Sequence, residues 1–194
     1  MRKKDRKKAL VLGVGNILLR DEGLGVRVVE HLNRRFTFPP GVECVDGGTL
    51  GLGLTSLMEG FNRIIIVDAL SGVDPGAPRR IAAVEIGRGL SPVSAVHGVG
   101  VKELLAIARF EGHAPEVVII GAAPIDTASG IGLTPATEKK IPELARMVIK
   151  ELEGLGIKAA NRAGEGAQGA RAVYRKEPAG DSGKGAQKKR GSPA

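Results

Sequence analysis

Glu22, Asp68 and His97 are the residues of this chain whose types and placement could do chemistry together. Glu22, with Asp21 beside it, comes soon after the apolar run Ala9-Leu10-Val11-Leu12. Asp68 closes the run Ile64-Ile65-Ile66-Val67, and His97 stands just before the helical pattern of Val99 to Arg109. In an α/β protein, ligands bind in the crevice at the carboxyl ends of the strands, so residues at such points converge although they are far apart in sequence. Two carboxylates and one imidazole suit a divalent ion such as nickel, zinc, manganese or iron. They can also move protons. A plainer reading stands beside this one. Asp21 and Glu22 would cap a helix, Asp68 would hydrogen-bond neighbouring backbone, and His97 would cap the helix after it.

Other chemistries lack their residues. Gly13-Val14-Gly15-Asn16 reads as a tight turn after a strand, with Asn16 able to adopt a left-handed conformation. The third glycine of a dinucleotide fingerprint would fall at position 18, which is Leu18, and no Gly-Lys-Ser/Thr triplet makes a phosphate loop. Neither an H-E-x-x-H helix nor a G-x-S-x-G elbow occurs. Cys44, the single cysteine, lies in the apolar run Val42 to Val45 and reads as a buried structural thiol. His31 and His113 read as surface residues, one on a helix face and one in a polar loop.

The elements that must position these residues follow from periodicity. Ala9 to Leu12 is a buried parallel strand, and Val26 to Leu32 is a helix ending near Arg34-Arg35. Val42 to Asp46 is a second strand, which delivers Asp46, Gly47, Gly48 and Thr49 to a loop. Leu50 to Phe61 returns as a helix. Arg63 to Leu70, a continuous β-branched run, is a central strand buried on both faces. Asp74-Pro75-Gly76 is a turn, Arg80 to Ile86 an edge strand, Val99 to Arg109 a helix and Val117 to Ile120 a further strand. Thr134 reads as the N-cap of a last helix, with Pro135 in its first turn and Glu138 beyond, running to about Leu155. Five strands alternating with helices predict a three-layer α/β/α sandwich around a five-stranded, mostly parallel, twisted sheet.

The net charge of +8 lies in the ends of the chain. Residues 1–8 hold six Lys/Arg and one acid, and residues 161–194 hold eight and three, whereas residues 9–160 hold 15 and 17. The organisation expected is a basic extension over 1–8, one α/β domain over 9–158 and a disordered Gly/Ala/Lys-rich tail over 159–194. A domain without basic excess or an aromatic platform is not built for specific nucleic-acid binding. No apolar run reaches the roughly 18 residues of a membrane span, and the expected compartment is the cytoplasm.

Five segments taken together resemble the hydrogenase maturation endopeptidases. They are Gly13-Val14-Gly15-Asn16-Ile17-Leu18-Leu19-Arg20-Asp21-Glu22-Gly23, Asp46-Gly47-Gly48-Thr49, Val67-Asp68-Ala69, Ser94-Ala95-Val96-His97-Gly98-Val99-Gly100 and Gly130-Ile131-Gly132-Leu133-Thr134-Pro135. The resemblance covers about residues 9–158. It implies an enzyme that trims a C-terminal extension from the large-subunit precursor of a nickel–iron hydrogenase once nickel has been inserted. Cutting would fall close to the last cysteine motif, just after a His or Arg. It also implies that Glu22, Asp68 and His97 are the catalytic and metal-contacting residues, the nickel being supplied by the substrate, with zinc or cadmium able to replace it in crystals. Asp46, Gly47, Gly48 and Asn16 become candidates for substrate binding, and a monomer is expected. Gly98 stands where the family commonly has a bulkier polar residue. Two other readings share part of the pattern. A peptidyl-tRNA hydrolase also opens with Gly-x-Gly-Asn, but no histidine follows shortly after Asn16. A non-catalytic, nickel-sensing assembly chaperone would share every ligand.

Overall fold

The structure is a computed structural model that describes residues 9–71, 74, 77–82, 85, 91–92, 101–110, 112 and 114–162. The expectations for His97 and its flanks, His113, the Asp74-Pro75-Gly76 turn beyond Asp74, residues 1–8 and the tail from 163 lie outside the described residues.

Eight strands and five helices are present among those residues. The strands are β1 (Ala9–Val14), β2 (Phe36–Thr37), β3 (Val42–Gly48), β4 (Arg63–Ser71), β5 (Pro78–Ala82), β6 (Ser91–Pro92), β7 (Glu116–Ala122) and β8 (Ala160–Asn161). The helices are α1 (Leu24–Arg35), α2 (Leu54–Met58), α3 (Val101–Phe110), α4 (Pro135–Glu138) and α5 (Ile141–Gly154). The main sheet runs β3-β1-β4-β7-β5, with the first four strands parallel and β5 antiparallel at the edge. This is the expected five-stranded, mostly parallel α/β arrangement. The two-residue strand β6 adds an antiparallel pairing to the end of β4.

Alternation along the central strands divides the core into two layers. Val11, Ile65, Val67, Val118 and Ile120 face Leu24, Val28, Val29 and Leu32 of α1 and Leu144, Val148 and Leu152 of α5. Leu10, Leu12, Ile64, Ile66 and Ile119 face Leu54 and Met58 of α2 and Leu104 of α3. Strands buried on both faces need a hydrophobic side chain at every position, and β4 has one at six of its positions from Ile64 to Leu70, broken only by Asp68. That interruption marks a place where packing has yielded to something else.

Three elements differ from the expected ones, each for a local reason. Gly51, at φ +52°, and Gly53 hold the chain in a 3-10 turn, so α2 begins only at Leu54. The last helix is broken in two because Pro142 lacks the N–H that a continuous helix would bring to the carbonyl of Glu138. Thr134 does cap α4, its hydroxyl oxygen accepting from the Thr137 N–H at 3.3 Å. Finally, β8 pairs antiparallel with β2, and the Arg162 N–H donates to the Arg35 carbonyl at 2.8 Å. Backbone pairing with the rest of the described residues thus reaches Arg162.

The edge strand β5 is tied to α5 by Arg80, whose guanidinium donates two bonds of 2.7 and 2.8 Å to Glu151. That bond raises the arginine's affinity for its proton and lowers the Glu151 carboxyl. Both side chains are partly in solvent, so Arg80→Ala is expected to lower stability by only about 0.5–1 kcal/mol, read as a small fall in thermal midpoint that high salt reduces further.

Candidate active site

The order of strands places a topological switch between β1 and β4. From β1 the chain crosses by α1 to β3 on one side, and from β3 it returns by α2 to β4 on the other. The crevice at the carboxyl ends of such a strand pair is where α/β proteins bind ligands. Glu22 follows β1, and Asp68 is the sixth of the nine residues of β4.

Glycines let the turn that carries Glu22 pack against the strand that carries Asp68. A Cβ on Gly25, in the first turn of α1, would stand 2.0 Å from the Val67 carbonyl oxygen and 2.3 Å from that of Val14. The first turn of α1 therefore rests directly on the ends of β4 and β1, which is possible only without a side chain. Gly15, at φ +142°, leaves room for the Glu22 carbonyl, which would be 1.9 Å from a Cβ there. The 3-10 turn Arg20–Gly23 is thereby held against the end of β4, and Asp68 follows the carbonyl that Gly25 covers. Gly25→Ala is expected to cost about 2–4 kcal/mol, because two backbone carbonyls would have to move to relieve the overlap. Chemical denaturation reads this directly.

Glu22 and Asp68 are both buried, at 7% and 1% exposure. One Asp68 oxygen accepts the Ala69 N–H at 2.7 Å, so the backbone role weighed for it in the sequence is real. It fixes the orientation of the carboxylate within β4.

Asp21 does something else. It does not cap α1, whose N-cap is Gly23 with no side-chain bond. Its carboxylate is fully buried and accepts five hydrogen bonds, four from the connection between β7 and α4 and one from Thr137 within α4. The donors are the Ile125 N–H (3.0 Å), the Asp126 N–H (3.2 Å), the Thr134 N–H (2.7 Å), and the hydroxyls of Thr134 (3.0 Å) and Thr137 (2.8 Å). Burial alone would raise its pKa, but the donors, Thr134 and Ile125 foremost, outweigh it and hold the carboxyl below its ordinary value. Asp21 and Glu22 are therefore neighbours with separate roles, rather than a pair facing one crevice.

The left-handed residue of this loop is Arg20, at φ +46°, and not Asn16. The Asn16 side chain instead accepts the Leu18 N–H at 3.0 Å. Arg20 is held in that conformation from outside. Its N–H donates to the Gly130 carbonyl at 3.1 Å, and its guanidinium pairs with Asp126 at 3.2 Å. A non-glycine residue in this region is uncommon and collects at functional sites.

Comparisons with known proteins bear on what such a site is for. Residues 26–151 match the family model described as HycI, hydrogenase maturation protease. The chain is 36% identical over 158 residues to the Hydrogenase 2 maturation protease of Escherichia coli (strain K12), covering 80% of this chain and 96% of that relative. It is also 36% identical over 160 residues to the hydrogenase expression/formation protein HupD of Bradyrhizobium diazoefficiens, covering 80% and 83%. Among solved structures, the hydrogenase maturating endopeptidase HybD of E. coli superimposes with a TM-score of 0.72 at 36% identity, over 80% of this chain and 98% of that one. A hydrogenase 2 maturation peptidase from a Thaumarchaeota archaeon gives 0.57 at 29% identity, over 77% and 99%. The chain belongs to the hydrogenase maturation protease family.

Against that identity, the remaining candidate residues of this maturation protease can be placed. Asp46 lies within β3 opposite Gly13 of β1, half-buried, with its oxygen accepting the Gly48 N–H at 2.9 Å; the strand runs on through Gly47 and Gly48 rather than ending at Asp46. Burial chiefly raises its pKa; the Gly48 bond opposes this, nearby Glu30 adds to it and Arg27 lowers it. A carboxyl raised in the folded state loses stability as pH rises from the ordinary carboxyl value through the folded one. Asp46→Asn should therefore make the protein slightly more stable at neutral pH, the opposite of what an ordinary surface acid does. Gly47 and Gly48 are pinned rather than flexible. A Cβ on Gly47 would be 2.9 Å from Leu12 and Leu54, and the Gly48 carbonyl accepts the Gly15 N–H at 3.0 Å, joining the two loops. Cys44 is half-buried, its thiol pushed up to about 12 by burial, so it is no nucleophile. His31 is partly covered rather than on open surface; burial, then Arg35 and Arg34, lower its pKa.

Sequence reasoning missed the work of Asp21 and the buried Thr137. The signal was present in Thr134-Pro135-Ala136-Thr137, where two hydroxyls three apart cannot both be explained by one cap. Among the described residues, no group of three or more His, Cys, Asp or Glu side chains is placed to hold a metal ion, and His97 is not among those residues. No helix among them is long and apolar enough to cross a membrane.

Proposed function

We propose that this protease removes the C-terminal extension of a nickel–iron hydrogenase large-subunit precursor, and that nickel already carried by the substrate is its recognition handle. What supports the reading is the placement, in a chain of this family, of two buried carboxylates at the β1–β4 switch, Glu22 in the turn that follows β1 and Asp68 within β4. Oxygen donors that would interrupt a core strand for no packing gain suit a cation arriving from outside. In this reading Glu22, Asp68 and His97 complete the coordination of the substrate's nickel. The ion polarises the scissile carbonyl or activates a water, and one carboxylate takes the proton. Asp46, Gly47, Gly48 and Asn16 border the entry to that crevice and contact the substrate chain. The enzyme acts as a monomer in the cytoplasm, and zinc or cadmium can stand in for nickel in crystals.

The test incubates the purified 194-residue chain with nickel-loaded and nickel-free precursor and follows the precursor's mass. Loss of the C-terminal peptide from the loaded form alone is the expected result. Equal cutting of both forms defeats nickel recognition. Binding to the loaded form without any loss of mass defeats proteolysis in favour of the assembly-chaperone reading.

A further inference from the structure

Six large apolar side chains stand exposed among the described residues, and they are not scattered. Ile17 and Leu18 follow β1, Leu50 follows β3, and Ile125 and Ile131 follow β7. All five lie on connections leaving the carboxyl ends of parallel strands, the edge that carries Glu22 and Asp68. The sixth, Phe110, ends α3 shortly before the amino-terminal end of β7, at the other edge. Single exposed apolar residues are ordinary on a soluble protein, but their concentration around one rim marks an interaction surface.

The rim is also built to keep those side chains outward. The Gly130 N–H donates to the Leu18 carbonyl at 2.8 Å, and the Arg20 N–H to the Gly130 carbonyl at 3.1 Å, so the segments carrying Leu18 and Ile131 form one short parallel ladder. The Asp21 N–H donates to the Asp126 carbonyl at 3.1 Å, beside Ile125. Beneath them, the buried Asp21 carboxylate gathers four donors from the same connection and a fifth from Thr137 of α4. Burying a carboxylate is worthwhile only where it fixes something, and what it fixes here is a loop that presents Ile125 at 52% and Ile131 at 82% exposure, with Leu18 at 60% alongside. Surfaces held ready in this way lose little entropy on binding.

We infer that the rim of Leu18, Ile125 and Ile131 is the docking surface for the folded body of the substrate protein, engaged next to the segment to be cut. The inference rests on the proteolytic reading above. One observation and one consequence of the proteolytic reading select this occupant. The rim is continuous with the catalytic turn, since Asp21, which holds it, is the residue before Glu22. A second copy of the chain seated on the same rim would cover the mouth at Glu22 and Asp68 and exclude a protein substrate. The partner surface is accordingly apolar, and the docking is only weakly dependent on salt, because Arg20 and Asp126 neutralise each other within the rim.

The experiment compares the wild-type chain with Leu18→Glu, Ile131→Glu and, as a control at the other edge, Phe110→Glu, each first shown to have an unchanged thermal midpoint. The affinity of each for nickel-loaded large-subunit precursor from the same genome is measured, together with cleavage and oligomeric state. The rim variants should bind at least tenfold more weakly and show a raised KM with kcat retained at saturation, while Phe110→Glu matches the wild type. Unchanged affinity of both rim variants overturns the inference. A wild-type dimer that the rim variants convert to monomers also overturns it and assigns the rim to a second copy. A wild type that binds the precursor but never cuts it would sink the proteolytic reading, yet the affinity comparison would still decide this one.

Discussion

Asp21→Ala is expected to lower the stability of the folded domain by about 3–5 kcal/mol, a large share of what a domain of this size possesses. The variant leaves three backbone N–H groups and two hydroxyls without their common acceptor, in a place closed to solvent. Asp21→Asn keeps the shape but turns an NH2 group toward donors, so it should recover only part of the loss. The same carboxylate sets a pH dependence. Its folded pKa lies below the unfolded one, so its contribution is complete above the ordinary carboxyl range and is lost as pH falls through the folded value. Wild-type stability should accordingly drop steeply only below about pH 4, whereas Asp21→Asn should be flatter there. Denaturation at several pH values checks both statements. A variant as stable as the wild type would mean that water replaces the carboxylate without cost.

The second large effect is on catalysis. Glu22→Gln and Asp68→Asn are each expected to reduce cleavage of nickel-loaded precursor by about 10²–10⁴-fold, the range for losing a group that acts on proton or charge in the transition state. Folding should survive both changes. In Asp68→Asn the amide oxygen would still accept the Ala69 N–H, and both amides match the originals in volume. Kinetics on folded variants, verified by their thermal midpoints, separate this outcome from collapse of the switch crevice. Full activity of either variant would remove that residue from the site.

Much of the fold was legible because burial on both faces leaves little choice of residue. The uninterrupted run from Ile64 to Val67 could only be a central strand, and Asp68 stood out because it ends that run. Strand order was not legible, since every inner strand has the same apolar character and only the crossovers distinguish them. The short pairing of β2 with β8 left no trace, because two residues on each side are too few to carry a periodicity. At the site, the types of residue were readable but their division of labour was not. Asp21 and Glu22 look alike in sequence, and what separates them is a loop more than a hundred residues later that supplies donors to one of them.

The pairing of β2 with β8 has a practical consequence. Arg162 is anchored beside Arg35, where α1 has run its full length away from the carboxyl ends of β1 and β4, and Ala9 enters β1 on that same side, its N–H bound to Gly41. Entry and exit of the domain thus share one pole, roughly 20 Å, the length of β1, from the opposite one. A purification handle, a fluorescent reporter or a tether joined directly at Ala9 or Arg162 would therefore start from the pole opposite the carboxyl ends of the strands.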